Sequence, residues 1–206
     1  MKWAITGLLA LTLAFGAVAV RAADDLALVQ QRVAQVPVLR GDFQQQKQVA
    51  GFSKSLRSEG NFVLSRERGV LWSTLKPFAS EVVLTRDRIL SRQRDGSTRV
   101  ELDGRQQPAL RAVNEMMFAL MSGDVAALAP RFSSTVEALP EQGWRLTLTP
   151  RPGPLARSFE RIRLQGDRHV RHVEIDEANG DRTVLEFTGI SESPAVLSDA
   201  EAARFD

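Results

Sequence analysis

Two stretches of the chain carry apolar residues at helical spacing. Leu26, Val29, Val33 and Val36 form one stripe, and Pro37 ends it. Asp24 and Asp25 precede the stripe, where their side chains can cap a helix and their charge suits its positive end. The second stretch, over 108–121, puts Leu110, Val113, Met116, Met117, Leu120 and Met121 on a broad face, with Pro108 in its first turn. Ser122-Gly123-Asp124 ends it, and Asp124 can cap a short helix over 125–129 that Pro130 closes.

The remaining apolar positions alternate. Strands are predicted over 44–48 after Phe43, then over 56–65, 70–75, 81–85, 89–93 and 100–102. They resume with Trp144, Leu146 and Leu148, then over 159–164 and 170–175. Thr183, Leu185 and Phe187 share the face of a last strand. Arg86-Asp87 and Asp95-Gly96 mark turns. Asn179-Gly180 is the strongest hairpin signal, and it predicts a type I′ turn with positive φ at both residues. Short strands joined by tight turns make an antiparallel meander. The reading is one α+β domain, a long antiparallel sheet interrupted twice by helix.

The first residues stand apart. Lys2 precedes an uncharged, mostly apolar run from Ala4 to Val20, and small residues follow at Ala22 and Ala23. That is the pattern of a secretory signal over residues 1–22, with the mature domain over 23–206. Its removal takes Lys2 and Arg21 and no acid, so the 27 cations of the 206-residue chain fall to equal its 25 acids. A neutral mature chain, 6% aromatic and without tyrosine, argues against nucleic acid as a partner. The absence of cysteine excludes disulfides, a thiolate metal site, a cysteine nucleophile and a lipidated N-terminal cysteine. The expectation is a soluble exported monomer, in the periplasm of a Gram-negative source.

The chemical repertoire is thin. His169 and His172 fall three apart in a predicted strand, on opposite faces, and so cannot share a metal. There is no Gly-x-Ser-x-Gly elbow and no phosphate loop, and nothing selects one carboxylate pair for catalysis. No cofactor and no catalytic residue is assigned. Met116, Met117 and Met121 are three of the four methionines. Methionine adapts to varied apolar partners, although on this feature alone a core helix is the favoured account of such a cluster.

Several segments, in order, resemble the periplasmic lipoprotein carrier family, LolA, in a divergent form. Arg40-Gly41-Asp42-Phe43-Gln44-Gln45 looks like the family's small/polar-x-Phe-x-Gln strand. The stretch from Gly60 to Arg66 looks like its Gly-x-Leu/Phe strand ending in a basic residue. The stretch from Arg66 to Trp72 matches its Arg-Pro-Gly-x-Phe-x-Trp in length, glycine and tryptophan, with Glu67 in place of the proline. Phe118-Ala119-Leu120, the strand at Trp144 and the Asn179-Gly180 hairpin follow in the family's order.

The resemblance implies an unclosed antiparallel β-barrel of about eleven strands around an apolar cavity, with helices as a lid. It implies a carrier of acyl chains, of lipoproteins or another lipid. The implied partners are an inner-membrane exporter (LolCDE) and an outer-membrane acceptor (LolB). It also implies that Arg66 holds the lid closed, a role suited to the five donors of a permanently charged guanidinium. The lid residues would be Leu26, Val29 and Val33 from one helix and Val113, Met116, Met117 and Leu120 from the other. The cavity would be lined by Phe43, Phe62, Leu64, Trp72, Trp144, Leu146 and Phe187. The chain ends soon after Phe205, short of most of the C-terminal strand and tail associated with a full carrier. The alternative is a non-catalytic periplasmic sensor or adaptor on the same scaffold, binding a segment of a membrane protein.

Overall fold

The computed structural model describes residues 26–85, 88–92, 98–103, 118–119 and 124–205. The predicted signal segment, Asp24, Asp25, the turns predicted at Arg86-Asp87 and Asp95-Gly96, Leu110, Val113, Met116, Met117, Leu120 and Met121 lie outside the described residues.

Among the described residues, eleven strands form one antiparallel sheet. They are β1 (Val38–Gln48), β2 (Leu56–Ser65), β3 (Gly69–Lys76), β4 (Ser80–Leu84), β5 (Arg88–Arg92), β6 (Thr98–Asp103), β7 (Phe132–Ala138), β8 (Trp144–Pro150), β9 (Phe159–Gly166), β10 (Val170–Glu177) and β11 (Arg182–Ser191). Their spatial order is β6-β5-β4-β3-β2-β1-β11-β10-β9-β8-β7. Two meanders, β1 to β6 and β7 to β11, therefore meet where β1 pairs with β11. Strands β6 and β7 are the two edges, so the sheet is unclosed. Residues 104–131 connect those edges, and Ala119 and Leu128 within them are buried in the inner core.

Strict alternation decides which side is inner. In β8, Trp144, Leu146 and Leu148 are buried while Arg145, Thr147 and Thr149 are not. The same rule turns Phe43, Phe62, Leu64, Val70, Ile162, Leu164, Val173, Ile175, Leu185 and Phe187 inward to one core. A second, smaller core lies on the other side of β1 to β5. There Val38, Val63, Leu71, Val83 and Leu90 meet Phe205, with Leu197 packed beside them.

Four local expectations change. The N-terminal helix stops at residue 32, before Val36 and Pro37. The Val33 amide still donates to Val29, but the Ala34 amide donates to the Arg168 carbonyl (2.8 Å), so a tertiary bond replaces the next helical one. Strand β1 begins at Val38, well before the glutamines. Gly41 and Asp42 disfavour a strand locally, but β2 and β11 pair with them from both sides. Strand β7 is not among the predicted strands, because Phe132 and Val136 are its only large inner residues, alternating with Ser134. The hairpin at Asn179-Gly180 forms, but not as type I′. Only Gly180 has positive φ (87°), its amide donates to the Glu177 carbonyl (3.0 Å), and Asn179 Oδ1 accepts from the Asp181 amide (3.0 Å). This is the longer hairpin loop that ends on a left-handed glycine.

The histidines also differ from expectation. His169 lies in the β9–β10 turn, not in a strand, with Nε2 2.8 Å from Glu192 Oε1. His172 is on the outer side of β10, between Glu186 and Glu174. No group of three metal-ligating side chains occurs among the described residues.

Candidate functional site: the aromatic inner face

Four aromatic rings meet on the inner face where the meanders join. Phe43 on β1 stacks on Trp72 of β3, with centroids 3.8 Å apart and planes at 25°. Phe62 on β2 contacts Phe187 of β11 edge-on at 5.4 Å, and Trp72 meets Phe187 edge-on at 6.2 Å. The two contacts to Phe187 have the edge-to-face geometry that aromatic quadrupoles favour.

Glycines let the rings lie down. Gly60 stands opposite Phe43, and Gly41 opposite Phe62. A Cβ on Gly60 would meet the Ser73 carbonyl oxygen at 1.9 Å and the Phe43 ring at 2.9 Å, and one on Gly41 would fall 2.8 Å from the ring of Phe62. The same pairing recurs where Gly166 faces Trp144: a Cβ there would meet the His169 carbonyl oxygen at 2.1 Å and the indole at 2.9 Å. Each ring thus covers the glycine across the strand, which offsets the packing a glycine lacks. Sequence reasoning singled out the rings but missed this role of the glycines. An isolated glycine inside an alternating strand was the available signal.

Away from the rings the inner face is aliphatic. Trp144, Leu146, Leu148 and Ile162 are all fully buried. Leu26, Val29 and Val33 of the N-terminal segment are buried in the same cluster, and so are Ala119, Leu128 and Leu155. Arg32 donates to the Gly143 carbonyl, which ties this segment to the turn before β8. Trp144 Nε1 donates to the Asp167 carbonyl (2.6 Å), so its one polar atom is satisfied.

A polar cluster bounds the inner face at the Gln48 end of β1. Lys47 Nζ lies 2.7 Å from Glu177 and 3.2 Å from Asp181. The hydrogen bond to Glu177 is the main reason the Lys47 pKa is raised, so the ammonium stays charged. Arg66 stands at the opposite end, in the β2–β3 turn. It is half-buried and continues the parity of Phe62 and Leu64. Its amide donates to the Pro37 carbonyl (3.0 Å), joining that turn to the chain that leaves the N-terminal segment.

The structure therefore brings Leu26, Val29, Val33, Phe43, Phe62, Leu64, Trp72, Trp144, Leu146 and Phe187 to one inner cluster, and it places Arg66 in the turn that follows the Phe62 and Leu64 row. Val113, Met116, Met117 and Leu120 lie outside the described residues.

Residues 17–205 match the family described as outer membrane lipoprotein carrier protein LolA-like. The chain belongs to that LolA-like family. A curated relative, the outer-membrane lipoprotein carrier protein of Halorhodospira halophila, is 32% identical over 151 residues, covering 72% of this chain and 65% of the relative. The chain thus spans a little under two thirds of that relative's length. Among solved structures, a DUF1329 family protein from Desulfovibrio piger shares the fold with a TM-score of 0.52 at 12% identity, covering 90% of this chain and 99% of the other. A LolA superfamily protein from Nitrosomonas europaea aligns with a TM-score of 0.48 at 9% identity, over 90% of this chain and 97% of the other.

Proposed function

We propose that the protein is a periplasmic carrier that takes the acyl chains of lipoproteins, or of another acylated lipid, onto its inner face and moves them toward the outer membrane. The observation that carries the reading is the unbroken apolar inner face. It runs from the rings of Phe43, Phe62, Trp72 and Phe187 to Trp144 and Ile162, and among the described residues short segments, not a second sheet, pack against it. Membership of the family supports the same reading.

The physics suits reversible carriage. Each methylene taken from water is worth roughly 0.8 kcal/mol, so an acyl chain of about sixteen carbons brings on the order of 12 kcal/mol before costs. No catalytic group is needed to hold it. Release is the harder step. Leu26, Val29 and Val33 already fill part of the inner face. An incoming chain exchanges apolar contact for apolar contact, and the net affinity falls well below the gross burial. Arg66, as the resemblance implies, holds the closed form. Donor and acceptor would be an exporter in the inner membrane and an acceptor in the outer one.

The direct test is to purify the protein from periplasm and extract it with organic solvent. Acylated protein in the extract supports lipoprotein carriage, and free lipid supports lipid carriage. A protein that yields neither and also binds no fluorescent fatty acid refutes both. Arg66→Leu is expected to retain fatty acid several-fold longer in a stopped-flow release assay. Release at the wild-type rate removes the role assigned to Arg66.

A further inference from the structure

One rim of the sheet exposes large apolar side chains. Phe78 is 77% exposed, Phe52 69%, Leu56 64% and Leu75 57%. All four lie at the end where β1 stops, β2 starts and β3 stops. Lys76 pairs opposite Glu59 and Thr74 opposite Ser80, so Phe78 lies in the tight β3–β4 turn just beyond Lys76, at the same end of the sheet as Leu56. Phe52 stands at the tip of the 49–55 loop.

That loop is held in place. Gln46 donates to Ser55 (3.0 Å), Ser55 donates to Gln48 (3.2 Å), Gln48 donates to the Phe52 carbonyl, and the Phe52 amide donates to the Val49 carbonyl (3.1 Å). The Ala50 amide is anchored on Asp181 (2.9 Å). The polar glutamine run of β1 therefore serves the loop, and through it presents Phe52 to solvent. Such exposure in a tethered loop opposes the hydrophobic effect and marks an interaction surface.

Charge identifies the partner. The chain has three lysines beyond residue 22, Lys47, Lys54 and Lys76, and all three lie at this rim. The rim's acids are engaged locally, Glu59 by Lys76 (2.6 Å) and Glu177 and Asp181 by Lys47. Lys54 and Arg57 are exposed and enter no ion pair among the described residues. Protruding aromatic tips flanked by cations on flexible stems suit the headgroup region of a bilayer. There the rings enter the acyl boundary and the charges stay at the phosphates.

We propose that this rim docks the protein onto a bilayer containing anionic phospholipid, with Phe52 and Phe78 inserting and Lys54 and Arg57 contacting phosphates. Leu56 lies in the inner-face row of β2 with Phe62 and Leu64, so a docked rim places one end of the inner face against the membrane. The inference goes beyond the carrier reading and is tested without cargo.

The experiment is flotation of the full protein with vesicles of pure phosphatidylcholine and vesicles containing one-third phosphatidylglycerol. The wild type is expected to float with the anionic vesicles, less at high salt, and weakly with the neutral ones. Phe52→Ser with Phe78→Ser is expected to weaken anionic-vesicle binding at least about tenfold. Lys54→Glu with Arg57→Glu, which leaves the apolar tips intact, is expected to weaken it about tenfold or more. Fatty-acid binding in solution and the melting temperature of both variants should match wild type. A wild type that stays off anionic vesicles, or variants that float as well as it does, overturns the proposal. The first outcome would leave the rim to a protein partner. Loss of vesicle binding with retained fatty-acid binding, or the reverse, separates this inference from the carrier reading.

Discussion

The outer side of the sheet has two halves built on opposite principles. Over β1 to β5 it is apolar and covered. Val38, Val63, Leu71, Val83 and Leu90 pack under Phe205 and Leu197, which the chain brings back after β11. Over β9 to β11 it is charged and open. Arg163 bonds Glu174 (2.6 Å) and Asp176 (3.1 Å), Arg182 bonds Glu174, and His172 lies between Glu174 and Glu186. The first half needs a lid because it is apolar; among the described residues no segment covers the second, whose charges pair with one another. Polar side chains also fasten the covering segment. Arg40 makes two parallel bonds to Glu201 (both 2.7 Å) and donates to the Pro194 and Val196 carbonyls. Arg204 bonds Glu81 and Ser73, Arg68 donates to the Ala202 carbonyl, and Arg68 lies over the Phe205 ring at 5.4 Å. The Ser198–Glu201 capping box shapes the turn that delivers Phe205.

If burial sustains the covered half and charge pairing the open half, mutations in the two should differ in size. The largest effect is expected from Phe205→Ala. It removes a buried ring from over Leu71 and Val63 and should cost about 3 kcal/mol in urea unfolding. A change under about 0.5 kcal/mol would mean that the covering segment contributes little. Next is Arg40→Ala, which removes four hydrogen bonds at a half-buried site and should cost about 2 kcal/mol by the same measurement. The smallest is Glu174→Gln in the open ladder. It should cost about 1 kcal/mol or less and fade with added salt, as partly exposed pairs do.

Acid sharpens the contrast. The Glu201 carboxyl is held down to about 2, chiefly by the hydrogen bonds from Arg40. Burial would raise Glu174, but hydrogen bonds from His172 and Arg163 outweigh it and hold this carboxyl at about 2 as well. Both groups are depressed in the folded state. Each therefore stabilises fully above the ordinary glutamate value of 4.5 and loses that contribution as pH falls toward 2. Glu201→Gln should flatten the part of the acid stability curve that tracks release of the C-terminal segment, followed by proteolysis near Ala202. Glu174→Gln should leave that proteolysis unchanged.

Much of the architecture is legible along the chain. Trp144, Leu146 and Leu148 alternate so regularly that their strand is plain from the sequence, and the aromatic residues of the inner face stand out as the large members of alternating strands. The motifs from Gly60 to Trp72 point to the family. What the sequence hides depends on distant partners. The polar end after Ile190 carries no strand or helix signal strong enough to place Phe205. Its seat exists only because β1 to β5 offer an apolar outer row. Strand β7 and the first residues of β1 have weak local patterns and are fixed by neighbours on the sheet. The glutamines of β1 read only as a polar strand, and nothing in their spacing reveals their bonds to the 49–55 loop.

By itself, then, the sequence determined the alternation, the breaks and hence the antiparallel meander, because side-chain direction in a strand has period two and needs no partner to define it. Only the tertiary structure decided that β1 would pair with β11 and join two meanders. It alone set rings over glycines across strands, turned the last residues back over the outer face, and left Phe52 and Phe78 in water. Those outcomes depend on which surfaces meet, and contact between residues far apart in the chain has no local period to read.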